Sequence, residues 1–259
     1  MLRLSPLATG VLLLALAPTA SASFHVMQIE QVVASSSTAQ AIQLRMRSLG
    51  QNQVQFSRVR AWSADGTSIT VLVDMTTPVA QNAGGARVLL ATPAFVAANP
   101  RITPDFIMQP IPADALAAGR ITFEDDTGPI LWSLCWGGAG YTGPTSGAIT
   151  NDGDGNFGPC VAPPLPLDAR GILFSGSATA SSTNNLADYA ITPGPATVTN
   201  NAGQSAVVVD LFADGFESPA TMAAEVTAKA AAAAKSAPRP RAHDHGSGFV
   251  SEAQAAHGH

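Results

Sequence analysis

Strict alternation of apolar and polar side chains is the feature that most constrains how this chain folds. The stretch AIQLRMR places apolar residues on one face and polar residues on the other: Ile42, Leu44 and Met46 against Gln43, Arg45 and Arg47. A period of two residues is typical of a strand with one buried face. Residues 24–33 predict an earlier strand, with Met27, Ile29 and Val33 on its buried face.

Further short segments of the same kind follow along the chain, separated by turn residues. They include VQFSRVRAW, ITVLVDM, RVLLAT, RITFEDD, ILWSLCW, ARGILFSG and SAVVVDLF. Asp65-Gly66 between the first two predicts a β-hairpin. With 23 glycines, 19 prolines and only 12% charged residues, the composition favours an all-β domain, a β-sandwich of about eight or nine strands. TPAFVAANP and IPADALAAG each predict a helical turn.

The N-terminus has the makeup of a secretory signal peptide. Arg3 precedes a short apolar run, Pro18 ends that run, and Ala20 and Ala22 fit a signal-peptidase site, which predicts cleavage after residue 22. The formal net charge of −5, which becomes more negative once Arg3 is removed, argues against nucleic-acid binding. We therefore expect a secreted or periplasmic protein with no membrane span after cleavage.

The C-terminal part differs in composition from the rest. We assign residues 23–212 to the β-domain and 213–259 to a tail. The tail begins near DGFE, which resembles a terminal motif of some exported bacterial proteins, and its alanine-rich part predicts at most a marginal helix. The final residues are typical of disorder, and the histidines there predict solvated side chains rather than a metal site.

Several segments together resemble the lamin tail domain family, which also occurs in secreted bacterial proteins. They are IEQVV, TAQAIQLRMRSLGQ, GGARVLLATPAF, GRITFEDDTGPILWSLCWG and NNLADYAITPGPATVTNNAG, within about residues 24–203. The chain departs from that pattern in a long insertion bracketed by cysteines, and in RVRAW where the family has a Leu-Ser-Gly-Trp corner. The resemblance implies an immunoglobulin-like β-sandwich used for binding or scaffolding, with no shared catalytic residues.

The inserted loop holds the only two cysteines, Cys135 and Cys160. Export favours a disulfide between them. Inside the loop, Asp152, Asp154 and Asn156 alternate as in the first half of a calcium loop, but the glycine and glutamate that complete such a loop are replaced. These residues therefore predict either a plain turn or a weak Ca²⁺ site, and no other cofactor is expected.

The sequence favours a non-catalytic protein. All five histidines lie at the start of the mature chain or in the tail, so a nucleophile within the β-domain lacks an imidazole base unless His25 folds inward. Glu124, Asp125 and Asp126 are a candidate carboxylate set for glycoside hydrolysis, but adjacent acids before Thr-Gly are more typical of a solvated turn.

Arg45, Arg47, Arg58 and Arg60 occupy outward positions of two consecutive predicted strands. If these strands pair, four cations share one face and form a candidate anion-binding patch for an acidic glycan or phosphate. The alternative is a solvated face neutralised by Asp74 or Glu124.

Together these features predict an exported, non-catalytic binding, structural or adhesion module of the cell envelope or extracellular space. The alternatives are a divergent secreted hydrolase and a calcium-stabilised adhesin. The sequence does not identify a ligand or partner, and an envelope glycan or protein is the candidate.

Overall fold

The computed structural model describes residues 26–146 and 157–210, and over these ranges the chain is an all-β protein, as predicted. Its strands are β1 Met27–Ala34, β2 Gln40–Met46, β3 Ser57–Trp62, β4 Ile69–Met75, β5 Arg87–Ala91, β6 Phe106–Ile107, β7 Gly119–Asp125, β8 Ile130–Trp136, β9 Gly171–Phe174, β10 Tyr189–Ile191, β11 Thr197–Thr199 and β12 Ser205–Val207. The helices are α1 Pro93–Ala98, α2 Ala113–Leu116 and α3 Asn185–Asp188, with 3-10 turns at Val54–Phe56 and Gly138–Gly140.

The described residues form twelve strands, more than the eight or nine predicted, because short strands such as β6 and β10 were not recognised in the sequence. Ten of them form two sheets, and the last two form a hairpin. The six-stranded sheet has the order β10-β9-β1-β2-β5-β6, and the four-stranded sheet has the order β4-β3-β7-β8. The pairings are antiparallel except for β5 with β6. The hairpin predicted at Asp65-Gly66 is confirmed, since it joins β3 to β4.

The main core takes side chains from both sheets, as in a β-sandwich. Ile42 and Leu44 of the six-stranded sheet belong to the same buried cluster as Phe123, Trp132 and Trp136 of the four-stranded sheet. The predicted face of β2 is therefore confirmed: its apolar residues are buried in this core, and Gln43 and Arg45 lie on the outer face.

A β-bulge in β1 changes which of its residues face the core. Ile29 pairs with Leu44 and Gln31 pairs with Gln43, so Glu30 is the extra residue. The bulge shifts the alternation by one position, so that Val32 joins the main core. The prediction that Val33 shares a face with Met27 and Ile29 is wrong, because Val33 lies in a second apolar cluster on the outer face. Glu30 lies on the outer face by the alternation that precedes the bulge, and the shift adds Gln31 to that face.

The second apolar cluster covers one end of the outer face of the six-stranded sheet. Val33 and Leu89 of the sheet pack there with Phe95 of α1 and Val198 of β11. The predicted helical turns are confirmed as α1 and α2, and the hydroxyl of Thr92 caps α1 by accepting a hydrogen bond from the Phe95 amide. This packing holds the β11–β12 hairpin beside the sheet.

By its internal contacts the chain divides into two units, Met1–Asp214 and Gly215–His259. The second unit, the predicted signal peptide and His25 lie outside the described residues. No helix within the described ranges has both the length and the apolar character that a membrane crossing requires.

Candidate functional site

The predicted disulfide is confirmed, with a Cα–Cα distance of 4.9 Å between Cys135 and Cys160. It ties the end of β8 to the far end of the inserted loop. The loop's calcium candidates Asp152, Asp154 and Asn156 lie outside the described residues. Within the described ranges, no group of three or more His, Cys, Asp or Glu side chains is placed to hold a metal ion.

The disulfide-bonded loop also buries an arginine on the outer face of the four-stranded sheet. Arg120 is 2% exposed, its guanidinium lies 4.3 Å from the ring centre of Phe157 and 5.0 Å from that of Trp62, and Nη2 donates to the Ser133 hydroxyl over 2.8 Å. Burial lowers the pKa of Arg120, although contact with Tyr141 opposes this shift. Sequence reasoning missed this residue, because the folded loop brings Phe157 over it and the pairing of β3 with β7 brings Trp62 beside it.

The four arginines of the predicted patch do not share a face. Arg45 belongs to β2, which is paired with β1 and β5, whereas Arg58 and Arg60 belong to β3, which is paired with β4 and β7. The two strands lie in different sheets, and their outward side chains point away from the common core on opposite sides of the sandwich. The prediction of one four-arginine patch is therefore wrong.

Arg58 and Arg60 are neutralised by Glu124, as the alternative interpretation predicted. The Glu124 carboxylate is fully buried, and its Oε2 lies 2.6 Å from Arg60 Nη2 and 3.3 Å from Arg58 Nε. Its Oε1 accepts a short hydrogen bond from Thr122, whose hydroxyl in turn accepts the Trp62 indole N–H. Every polar atom of this carboxylate is thus engaged in holding the sheet surface together.

The two acids that follow Glu124 form a turn. Asp125 Oδ1 accepts hydrogen bonds from the backbone N–H and the hydroxyl of Thr127, which confirms the predicted Asx-type turn for this residue. Asp126 is exposed, and partial desolvation together with nearby Asp74 raises its pKa. The three acids thus have separate surroundings, and they do not face each other across a cleft.

Arg47 has a structural position. It is 7% exposed, its guanidinium lies 5.3 Å from the centre of the buried Trp132 ring, and Nη1 donates to the Ala180 carbonyl. Arg47 therefore holds the segment after β9 against the edge of the core. Its guanidinium is not available to a ligand on the outer face.

Arg45 belongs to a different ionic cluster, which we call the Glu30 cluster and define as Glu30, Gln43, Arg45 and Arg87. Arg87 Nε and Nη2 donate to the two oxygens of Glu30 over 2.8 and 3.0 Å. Gln43 Nε2 donates to Oε2 over 2.7 Å, and Arg45 Nη1 lies 3.5 Å from Oε1. Glu30 is only 6% exposed, so a buried carboxylate on the outer face of the sheet fixes the direction of two arginines.

A groove of about 680 Å³ lies beside the Glu30 cluster. Glu30, Gln31, Gln43 and Arg87 line it on the sheet side, and the segment 192–197 that leads into β11 lines it on the other. Two glutamines tie these sides together, since Gln31 Nε2 donates to the Thr197 carbonyl over 2.6 Å and Gln43 Oε1 accepts the Thr199 backbone N–H. These hydrogen bonds therefore fix the distance between the two sides of the groove.

A second recess of about 210 Å³ adjoins the groove, and both are lined by Arg87 and Thr199. Asn200 and Asn201 contribute to it, and Asn201 is fixed by hydrogen bonds with Gln81 and with the Arg87 carbonyl. We call the two recesses together the depression; Arg87 lines both parts, and Leu173, Phe174 and two prolines add apolar surface to its polar lining.

The polar groups beside the depression are held in fixed positions. Both Glu30 oxygens already accept hydrogen bonds from cations, and the neighbouring polar groups are amides and hydroxyls held in place by further bonds. Sequence reasoning missed Glu30 and Arg87 because the pairing of β2 with both β1 and β5 brings them together. The glycine pair before Arg87 is a turn signal, but it does not reveal the partner strand.

Comparison with protein-family models, with curated proteins and with solved structures finds no match for this chain.

Proposed function

We propose that this protein is an exported, non-catalytic binding module of the cell envelope or extracellular space, and that it binds through the groove beside the Glu30 cluster. One observation carries the proposal: a polar groove in which a buried glutamate holds Arg87 in a fixed direction at the surface. A rigid site loses little conformational freedom when a ligand binds, which favours recognition.

The surroundings of the two buried glutamates support binding over chemistry. Glu30 and Glu124 are each held by two arginines at the outer face of a sheet. A general acid or base needs a proton that it exchanges with substrate, whereas a carboxylate paired with two cations acts as an orienting group.

Export rests on the predicted signal peptide, and the disulfide fits an oxidising compartment. We further propose an immunoglobulin-like sandwich of the lamin tail type, based on the resemblance of the strand motifs. The calcium-stabilised adhesin and the secreted hydrolase stay alternatives, and the loop acids Asp152 and Asp154 that bear on the first lie outside the described residues.

A blocking substitution tests the proposal. Gly194 lines the groove, an added Cβ there meets no atom within 4 Å, and its backbone does not require glycine. Gly194→Trp should therefore fill the groove while leaving the fold unchanged. The exported full-length chain is passed over immobilised envelope fractions, and we expect the wild type to be retained and Gly194→Trp to be lost.

Phe56→Trp is the control, because Phe56 is 57% exposed immediately before β3 and does not line the groove. It should be retained like the wild type. Equal retention of the wild type and Gly194→Trp, or no retention of either, would contradict groove-mediated binding.

A further inference from the structure

We infer that the ligand of this groove is an anionic glycan, and that Arg87 receives its acidic group. This inference rests on the proposed function and adds the chemical class of the ligand. It follows from the unused donors of Arg87, the local charge balance and the continuity of the two recesses.

The guanidinium of Arg87 is only half used by the protein. A guanidinium has five N–H donors, and Glu30 engages Arg87 from one side through Nε and Nη2. Within the described residues, Nη1 donates to no protein group. The side chain is 34% exposed and lines both recesses. The bonds to Glu30 therefore fix the direction of the Arg87 guanidinium, and the other edge of that group faces the depression.

The local charge favours an anion. Arg45 and Arg87 both lie against the single carboxylate of Glu30, which leaves one cation uncompensated within the cluster. Arg45 also has a buried Nε with no hydrogen-bond partner among the described residues. The whole chain carries a formal charge of −5, so this cluster is a local positive site on an acidic protein. Planar guanidinium groups match carboxylate, sulfate and phosphate oxygens in geometry.

The remaining lining favours a hydroxyl-rich chain. The amides of Gln31 and Gln43 and the hydroxyls of Thr192, Thr197 and Thr199 line the larger recess, and the Asn201 amide continues this polar surface into the smaller one. Pro193 and Pro195 add flat apolar contacts. Leu173 and Phe174 extend this apolar surface. Polar side chains next to flat apolar surface suit sugar rings, and two adjoining recesses leave room for linked sugars with an acidic group near Arg87.

The test uses the exported full-length protein on an array that pairs acidic oligosaccharides, carrying uronate, sulfate or phosphate groups, with their neutral parents. We expect binding to acidic members over neutral parents. Arg87→Gln should weaken that binding roughly tenfold or more, because a charge-assisted contact is lost. Arg87→Lys should retain only part of the wild-type affinity, because the lysine ammonium keeps the charge but lacks the paired N–H donors of a planar guanidinium.

Arg58→Gln is the matched control, since Arg58 also pairs with a buried glutamate but on the other sheet, and it should stay within about twofold of the wild type. Gly194 provides a second test that leaves the Glu30 cluster intact. Gly194→Lys should strengthen binding about threefold and Gly194→Glu should weaken it about threefold, as expected for one charge near the ligand.

Several results would overturn the inference: no binding to the array, a preference for neutral members, an unchanged affinity in Arg87→Gln, or equal effects of the two Gly194 charges. If the array fails while retention on the envelope still depends on an open groove, the ligand class is wrong and the proposed function stands. If Gly194→Trp has no effect in either assay, both are wrong.

Discussion

Replacement of Glu124 by glutamine tests whether the ionic cluster on the four-stranded sheet stabilises the fold. The carboxylate is fully buried, and its Oε2 faces Arg60 at 2.6 Å and Arg58 at 3.3 Å. Glutamine keeps the shape and one acceptor but removes the charge. The charge-assisted hydrogen bond from Arg58 and the ion pair with Arg60 are thereby weakened, and the bond from Thr122 can persist.

The magnitude follows from these contacts. A hydrogen bond to a charged group contributes about 1.5–3 kcal/mol. The arginine side chains are 20% and 25% exposed, so they regain part of their hydration when the carboxylate is lost. We therefore expect Glu124→Gln to lower the free energy of unfolding by about 2–3 kcal/mol, at the lower end of the range for breaking a buried ion pair. For a domain of this size, that corresponds to a fall in Tm of roughly 5–10 °C.

Urea unfolding followed by tryptophan fluorescence measures the effect, with the midpoint expected to fall and the slope expected to stay constant. Combining Glu124→Gln with Arg60→Gln should give a coupling energy of about 1–2 kcal/mol. Asp74→Asn is the control, because Asp74 also lies opposite Arg58 in the register but is exposed, so its effect should stay within about 0.5 kcal/mol. A loss below about 0.5 kcal/mol in Glu124→Gln would refute the reasoning.

Two further predictions concern single polar residues. The side chains of Ser63 and Thr67, and the Thr67 backbone N–H, donate to Asp65 and lower its pKa to about 2, so its contribution to stability is present above the unfolded-state pKa and is lost as the pH falls through about 2. A carboxyl NMR titration should give that value, and Ser63→Ala should raise it; an Asp65 that titrates near 4 would contradict this. Gln28 is fully buried, and neither amide atom has a hydrogen-bond partner within the described residues. Gln28→Met should therefore leave the free energy of unfolding unchanged or raise it in urea titrations, whereas a loss above about 1 kcal/mol would show that the amide is satisfied.

Local sequence patterns predicted the features of this fold that depend on neighbouring residues. Alternation identified the buried face of β2, Asp65-Gly66 identified the β3–β4 hairpin, and the helical turns begin where their sequences predict. Each of these depends on side-chain periodicity or on turn conformations that a few residues determine. The disulfide followed from the number of cysteines and the predicted compartment.

The candidate site depends on choices that local patterns do not contain. The chain passes from β2 in one sheet to β3 in the other, so two consecutive strands with similar arginine patterns face opposite directions. The extra residue in β1 has no sequence signature, yet it moves Val33 out of the main core. Only the pairing of β2 with β1 and β5 brings Glu30 beside Gln43 and Arg87. Strand order and bulges are decided by how the whole core packs, and the ionic clusters follow from them.

The two ionic clusters show why the groove, and not arginine content, identifies the candidate site. Each cluster pairs one buried glutamate with two arginines on the outer face of a sheet. On the four-stranded sheet, Thr122 and Trp62 close the network around Glu124. On the six-stranded sheet, segment 192–197 is bonded at Thr192 to Gly171 of β9 and at Ala196 to Ala169, and Gln31 and Gln43 bridge the space beside Arg87. The Glu124 cluster therefore contributes to stability, because neighbouring side chains complete its hydrogen bonds. The Glu30 cluster has the same charge arrangement, but the groove beside it leaves donors of Arg87 unused.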